Sequence, residues 1–216
     1  MQPDSGPFAK LYEAILQGRD SEAEEVTRAA LDQGADPLEL VNQYMIPAMD
    51  EVGRRFQEQE YFIPELLIAA RAMKKSLELL RPLLSERGAE PVGRVVIGTV
   101  KGDLHDIGKG LVASMLEGGQ FEVIDLGVDV PAEKFISVAV ERNANIIALS
   151  ALLTVTMEAM KDVIEELKKA GLRDRIKVMI GGAPVTQQYA DKIGADGYSP
   201  DAHGAVQLAR SLVGAA

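Results

Sequence analysis

The chain of 216 residues contains no cysteine, no tryptophan and only two histidines. The absence of cysteine excludes disulfide bonds, thiolate zinc sites, cysteine-ligated iron–sulfur clusters and cysteine nucleophiles. Two histidines are also too few for a metal site built from histidines alone. A bound metal would therefore take most of its ligands from carboxylates, or it would arrive inside a cofactor.

The sequence also lacks a basic segment and a long apolar run. Its formal net charge is −10 at pH 7, which argues against a nucleic-acid partner because phosphate binding depends on clustered Lys and Arg. No apolar stretch approaches the roughly 20 residues that a membrane span needs, and the first residues do not follow the pattern of a signal peptide. We therefore expect a cytoplasmic protein that binds neither nucleic acid nor a membrane.

Residues 7 to 88 follow a helical pattern. Apolar residues recur at helical spacing over four segments with short connections, which predicts a four-helix bundle. Asp20-Ser21, with Glu24 as the partner of a capping box, predicts the start of the second helix, and Asp36-Pro37 predicts the start of the third. We expect the third helix to end near Glu58 and to be kinked at Pro47, which removes one backbone hydrogen bond.

From residue 94 onward, short apolar segments alternate with helical ones. The apolar strands favour a parallel sheet covered on both faces, and their number favours the flavodoxin-like (Rossmann-type) strand order 2-1-3-4-5. The predicted strands are Arg94–Val100, Phe121–Leu126, Ile146–Ser150, Lys177–Ile180 and a short one near Gly197–Tyr198. Residues 85–93 are polar and contain Gly and Pro. We thus predict a helical bundle cap domain at 1–88, a linker at 89–93 and an α/β domain at 94–216.

Three predicted strand ends carry unusual residues. The first strand is followed by the loop Gly102 to Gly108, the third by small and hydroxylic residues from Ser150 to Thr156, and the fourth by Gly181-Gly182. Open parallel sheets bind ligands outside the carboxyl ends of their strands, here between the first and third strands. Glycines there leave room for a bulky group near the backbone. The three segments therefore predict one ligand cleft.

Two familiar functions of this architecture, dinucleotide binding and phosphoryl reception, do not fit these strand ends. A dinucleotide site needs G-x-G-x-x-G after the first strand, and this chain has an aspartate and a histidine there. A chain that resembles the phospho-receiver domains would have an aspartate at the end of the third strand, where this chain has Ser150.

His105 is the candidate metal ligand of the cleft. A neutral imidazole that binds a metal through one nitrogen is oriented by a carboxylate that accepts from its other N–H. Asp103 can take that role, and Thr156 can donate to Asp103 in turn. With no further protein ligand at hand, the metal would be held in a macrocycle. The alternative is a loop histidine with local hydrogen bonds only. His203, in the first turn of the last predicted helix, is interpreted as a surface or helix-end residue.

The pattern of these three segments resembles a known signature. Asp103-x-His105-x-x-Gly108, Ser150-x-Leu152 and Gly181-Gly182 match the D-x-H-x-x-G, S-x-L and G-G elements of cobalamin-binding domains. The helical segment, including Glu65 to Met73, resembles the cap module that precedes that domain in methionine synthase. Over its whole length the chain is similar to the small corrinoid proteins of methanol, methylamine and aryl-methyl-ether methyltransferase systems.

The resemblance implies a cofactor and its ligands. Cobalamin or a related corrinoid would bind base-off, with its nucleotide tail inserted in the α/β domain. The helical bundle would cover the upper face of the cofactor, and methylcobalamin would be the form that carries the methyl group. His105 would be the lower axial cobalt ligand, and Asp103 and Thr156 would form a relay behind it. The implied cofactor-binding residues are Gly102, Asp103, His105, Asp106, Ile107, Gly108, Ser150, Leu152, Thr154, Thr156, Gly181 and Gly182.

The resemblance also implies a methyl carrier that completes no reaction by itself. Its implied partners are a substrate-specific methyltransferase, an acceptor methyltransferase that passes the methyl group to tetrahydrofolate or a thiol, and a separate reductive activator. One rival hypothesis is a cobalamin-dependent sensor or regulatory module, which the acidic charge and the absence of tryptophan disfavour. A mutase small subunit is a second rival, and a two-domain α/β protein that binds a different ligand is a third. The sequence leaves the methyl donor and the acceptor open.

Overall fold

A computed structural model describes residues 6–86 and 91–215, apart from the side chain of Ser85. The described chain falls into two compact units: one, of helices, comprises residues 6–86 with Glu117–Gly119, and the other, built on a sheet, comprises residues 91–116 and 120–215. Residues 87–90, which include part of the predicted linker at 89–93, lie outside the described residues. Within the described residues no helix combines the length and the apolar character that crossing a membrane requires.

The first unit confirms the predicted helical segment. Its apolar faces come together in a core that includes Leu11, Tyr44, Met45, Leu66 and Met73, each at most 1% exposed. The helical elements are α1 (Ala9–Leu16), α2 (Asp20–Asp32), α3 (Pro37–Leu40), a π-helical turn (Val41–Met45), α4 (Ile46–Gln57) and α5 (Ile63–Glu86).

The third predicted helix runs without a break from Pro37 to Gln57, close to its expected end at Glu58, and contains a turn that was not predicted. Its middle is a π-helical turn, in which the N–H of Ile46 donates to the carbonyl of Val41, five residues earlier. Pro47 is the second residue of α4, which continues from the π-helical turn without a break. The change of register before Pro47 thus accommodates the proline.

The two predicted helix starts have different outcomes. Asp36 caps α3 as predicted, because its carboxylate accepts from the N–H of Leu38 at 2.8 Å. The capping box at Ser21 is wrong: α2 begins at Asp20, and the residue before it makes no side-chain cap. Asp20 instead pairs with Lys75 of α5 at 3.0 Å, so an ion pair between helices replaces the local cap.

The second unit confirms the predicted sheet. All its strands are parallel and lie in the order β2-β1-β3-β4-β5. The strands are β1 (Gly93–Thr99), β2 (Phe121–Asp125), β3 (Ile146–Ser150), β4 (Lys177–Gly181) and β5 (Gly197–Tyr198), and the helices are α6 (Ile107–Gly118), α7 (Ala132–Glu141), α8 (Glu158–Lys169), α9 (Gln187–Ile193) and α10 (Ala202–Val213).

The core of the second unit explains why its strands are continuously apolar. Val96 and Ile147 of the central strands are fully buried, and Phe135 of α7 and Ile164 of α8 are buried in the same cluster. A Cβ atom at Gly98 would lie 2.8 Å from the Phe135 ring, so this glycine lets α7 pack closely on β1. The rigid packing below the sheet edge fixes the positions from which the loops of the site depart.

Candidate functional site

The loop between β1 and α6 lies at the carboxyl edge of the sheet. Thr99, Ser150 and Gly181 are register partners on β1, β3 and β4, so the three segments predicted to line a cleft leave the sheet side by side. The N–H of Val100 donates to the Ser150 carbonyl at 3.0 Å. The strand order reverses between β1 and β3, which is where open parallel sheets bind ligands.

Asp103 is fully buried and accepts hydrogen bonds at both carboxylate oxygens. Oδ1 lies 2.7 Å from His105 Nδ1 and accepts from the His105 backbone N–H at 3.1 Å. Oδ2 accepts from the Thr156 hydroxyl at 2.7 Å, and from the backbone N–H groups of Leu152 and Leu153 at 2.8 and 3.2 Å. One carboxylate therefore ties the His105 loop to the loop that follows β3.

These donors keep Asp103 ionised. Burial by itself would raise the pKa of this carboxyl group, but the hydrogen bonds from Thr156, His105 and Leu152 outweigh it and hold the pKa well below its usual range. An ionised carboxylate can only accept hydrogen bonds. The contact at His105 Nδ1 is therefore one in which the ring donates.

The ionised Asp103 determines which nitrogen of His105 can bind a ligand. Because Nδ1 carries the donated hydrogen, the lone pair of a neutral ring lies on Nε2. The His105 side chain is 51% exposed, so the ring can present Nε2 to a group outside the protein. The His105 carbonyl accepts from the buried hydroxyl of Thr99 at 2.8 Å, which fixes the backbone below the ring.

The Gly181-Gly182 pair brings the loop after β4 close to the loop after β3. Gly182 has a φ of +135°, and a Cβ atom there would lie 1.9 Å from the carbonyl oxygen of Ala151. The missing side chain at Gly182 thus makes room for the chain's own backbone, and the role of this glycine toward a ligand stays a prediction. At Gly181 a Cβ atom would make only an ordinary contact, 3.5 Å from the Ser199 carbonyl oxygen.

The other predicted residues lie on the same three segments. Gly102 has a φ of +85° and precedes Asp103, and the exposed residues Asp106 to Gly108 lead into α6. Ser150 ends β3 half-buried, and the following loop carries Thr154, which is exposed, and Thr156, which is buried. The structure brings the predicted set to three adjacent loops, and the role of each residue toward a cofactor stays a prediction.

Apolar side chains on these loops are unusually exposed. Ile107 is 84% exposed, Val155 81% and Leu104 71%, and Leu152 and Leu153 of the loop after β3 are 42% exposed. We call these five side chains the apolar rim. Apolar groups beside a polar strand end are typical of a surface that a ligand covers. A large and mostly apolar macrocycle fits the apolar rim, whereas a small polar ligand would leave it in water.

The donor set also fits a metal that arrives with most of its ligands. In the described part of the chain no three His, Asp or Glu side chains are grouped so that they could hold a metal ion. His105 can supply one nitrogen, and its Asp103 partner gives that nitrogen the tautomer and orientation that a metal requires. A corrinoid, whose ring supplies the other cobalt ligands, meets both conditions.

Two residues that support the His105 loop, Thr99 and Lys109, were not among the predicted site residues. Thr99 could have been found, because a hydroxyl at the end of an apolar strand needs a partner. Lys109 is almost fully buried and forms an ion pair with Asp125 at the end of β2. Asp125 also accepts from the Gly127 N–H at 2.9 Å. The Lys109 contact had no signal in the sequence, because its partner is 16 residues away in another element.

The interpretation of His203 is partly wrong. His203 does lie in the first turn of α10, but it is only 6% exposed and is therefore not a surface residue. Its Nε2 is 2.9 Å from Nε2 of Gln207, one turn further along the helix. Of the two imidazoles in the chain, His105 is the exposed one.

Comparisons with known proteins agree with a corrinoid-binding class. A family model described as a B12 binding domain matches residues 93–207, and a second one with the same description matches residues 8–81. The trimethylamine corrinoid protein of Methanosarcina barkeri is 46% identical over 208 residues, which cover 95% of this chain and 96% of that protein.

Two solved structures share the fold over almost the whole chain. A cobalamin-binding protein from Desulfitobacterium hafniense has a TM-score of 0.81 and 32% identity, covering 96% of this chain and 98% of that one. The methanol:cobalamin methyltransferase complex of Methanosarcina barkeri contains a chain with a TM-score of 0.84 and 30% identity, covering 97% of this chain and 80% of that one. The present chain belongs to the corrinoid proteins with a B12-binding domain.

Proposed function

We propose that this chain carries a methyl group, on the cobalt of a bound corrinoid, from a substrate-specific methyltransferase to an acceptor methyltransferase. The observation that carries the proposal is the 2.7 Å contact between Asp103 and His105 Nδ1, which leaves Nε2 available to a metal. When bound, the corrinoid supplies the cobalt centre that takes and gives up the methyl group. The relatives that are corrinoid proteins of methylamine and methanol systems support this proposal.

The chain's own residues hold and orient the cofactor in this proposal. His105 would hold the cobalt of the corrinoid through Nε2, with the cofactor's own base displaced. Asp103 holds the proton on Nδ1 and fixes the plane of the ring, and Thr156 fixes Asp103 from the opposite side. The apolar rim would cover apolar parts of the macrocycle and exclude water from the nitrogen that holds the metal.

In this proposal, the two partner methyltransferases determine which compound donates the methyl group and which compound accepts it. One relative is named for trimethylamine and another belongs to a methanol system, so we propose a small methylated compound as the donor, selected by the first methyltransferase. The acceptor enzyme would deliver the methyl group to tetrahydrofolate or a thiol. A reductive activator would reduce cobalt that has become oxidised and so return the carrier to its active state.

We also propose that residues 1–88 and 94–216 are separate domains, joined by a linker at 89–93, of a cytoplasmic protein.

A binding experiment with matched histidine variants tests the cofactor assignment. Purified chain is titrated with hydroxocobalamin, and the visible spectrum is recorded for wild type, His105→Ala and His203→Gln. We expect wild type and His203→Gln to bind with the same spectral change, and His105→Ala to lose that change. The assignment is wrong if wild type takes up no cobalamin or if His105→Ala gives the wild-type spectrum.

A transfer assay then tests the carrier role. The cobalamin-loaded chain is incubated with candidate donor and acceptor methyltransferases, and the movement of an isotopically labelled methyl group is followed. Transfer that requires both enzymes and the loaded chain is expected. Binding of cobalamin without transfer to any partner enzyme favours the sensor hypothesis instead.

A further inference from the structure

Asp129, in the segment between β2 and α7, makes two hydrogen bonds with the loop that carries Asp103. Its carboxylate Oδ1 accepts from the backbone N–H of Gly102 at 2.7 Å. Its own backbone N–H donates to the carbonyl of Asp103 at 3.0 Å. Asp129 thus holds the Gly102–Asp103 segment from both ends, although no sequence motif marks it.

The backbone of Asp129 adopts a conformation that few residues tolerate. Its φ is +53°, a left-handed value that costs free energy for any residue other than glycine and is borne best by Asp and Asn. Such strain persists only where the surrounding structure determines it, and it is frequent at functional sites. Here the next residue, Val130, donates its N–H to the Thr99 carbonyl at 3.0 Å and forms a bridge with Val100, so the strained residue is anchored directly beside the end of β1.

We propose that Asp129 is a positioning residue, which keeps Asp103 in contact with His105 by fixing the Gly102–Asp103 segment. The Asp103 carboxylate is held from one side by Thr156 and the loop after β3. Its backbone is held from the other side by Asp129, and its N–H donates to the Val100 carbonyl at 3.1 Å. Gly102 has a permissive backbone, so loss of the Asp129 contacts frees the segment to rotate. The hydrogen bond between Asp103 and His105 Nδ1 then weakens.

Three substitutions separate the two contributions of Asp129. Asp129→Asn keeps an acceptor oxygen and a residue that tolerates positive φ. Asp129→Gly removes the backbone strain but also removes the acceptor, and Asp129→Ala removes the acceptor and keeps the strain. Asn143 is a matched control, because it also has a positive φ, +50°, in the turn after α7. Asn143→Gly makes the same backbone change away from the carboxyl ends of the strands.

The first readout uses the chain without cofactor and does not depend on the proposed function. The imidazole nitrogens are labelled with ¹⁵N, and their chemical shifts are measured at alkaline pH, where a neutral ring reports its tautomer. The chain has only two histidines, and His105→Ala identifies the signal. Wild type, Asp129→Asn and Asn143→Gly should hold the hydrogen on Nδ1. Asp129→Gly and Asp129→Ala should shift toward the mixture of tautomers of free histidine. A wild-type spectrum in Asp129→Gly overturns the proposal.

The second readout is cobalamin affinity, and this consequence rests on the proposed function. Loss of a group that orients a metal ligand typically costs about 10-fold or more in affinity. Asp129→Gly should therefore bind cobalamin about 10-fold more weakly, with Asp129→Asn and Asn143→Gly near wild type. Equal affinity of Asp129→Gly and wild type overturns the proposal. If wild type binds no cobalamin, the proposed function fails, while the tautomer measurement still decides the role of Asp129.

Discussion

Thr156 donates its hydroxyl hydrogen to Oδ2 of Asp103 at 2.7 Å, across 53 residues of sequence. Both side chains are buried, and Oδ1 of the same carboxylate contacts His105. The three residues therefore form a line of hydrogen bonds that begins inside the domain and ends at an exposed imidazole. Substitutions along this line and in the fold that holds it have distinct expected effects.

Replacement of Thr156 should loosen Asp103 without changing the size of the side chain. Thr156→Val removes the hydroxyl, and the unfolding free energy of the cofactor-free chain should fall by about 1 to 3 kcal/mol, because a buried carboxylate loses a donor. Urea unfolding followed by circular dichroism measures this change. Thr156→Ser keeps the hydroxyl and is the control. A loss of stability in Thr156→Ser with none in Thr156→Val would show that packing of the methyl group, rather than the hydrogen bond, is responsible.

A side chain at Gly182 should be destabilising, because the carbonyl of Ala151 occupies its place. A Cβ atom would lie 1.9 Å from that oxygen, at a φ of +135°. Gly182→Ala should therefore lower the unfolding free energy by about 3 kcal/mol, from overpacking and backbone strain together.

Gly110 offers a matched control for that substitution. It lies inside α6, with no atom within 4 Å of an added Cβ. Gly110→Ala should raise the unfolding free energy by about 0.5 to 1 kcal/mol through helix propensity. A fully stable Gly182→Ala variant would mean that the loop after β4 relaxes away from β3, contrary to the close contact between Gly182 and Ala151.

The helical unit should lose stability in acid through Glu51. The hydrogen bond from Arg54 favours the ionised form most strongly, burial opposes it and Arg55 adds to it, so the pKa of Glu51 falls from 4.5 to about 2. A lowered folded-state pKa contributes stability that is fully present above the unfolded value of 4.5 and is lost as the pH falls toward 2.

Urea unfolding at a series of pH values tests this contribution. Between the two pKa values, the unfolding free energy of wild type should fall more steeply with acid than that of Glu51→Gln. Glu25→Gln changes an exposed carboxylate of α2 and should leave the wild-type slope unchanged. The same slope in wild type and Glu51→Gln would rule out the contribution of the arginine pair.

The sheet and the hydrogen bonds that link Thr156, Asp103 and His105 could be predicted from the sequence, because both depend on short-range patterns and on topology. Continuous apolar runs indicate parallel strands covered on both faces, and the carboxyl ends of such strands meet at one edge. Asp103, His105 and Thr156 could therefore be placed together, although 53 residues separate Asp103 from Thr156.

Several features depend on contacts that no local pattern encodes. The positive φ of Asp129 has no sequence signal, because it is imposed by partners on the loop after β1. The burial of His203 depends on how α10 packs on the sheet. The Ser21 cap looked favourable locally, but Asp20 gains a tertiary ion pair with Lys75 instead.

The central proposal is that Nε2 of His105 would hold the cobalt of a bound corrinoid. Electron paramagnetic resonance of the chain loaded with cob(II)alamin tests it most directly, with protein whose histidine imidazoles carry ¹⁵N and cofactor that carries ordinary ¹⁴N. Coordination by His105 predicts that each cobalt line is split into a doublet by ¹⁵N, and that the doublet is lost in His105→Ala and retained in His203→Gln. A triplet from ¹⁴N in the wild-type chain would show that the cofactor's own base is the ligand, and it would contradict this claim.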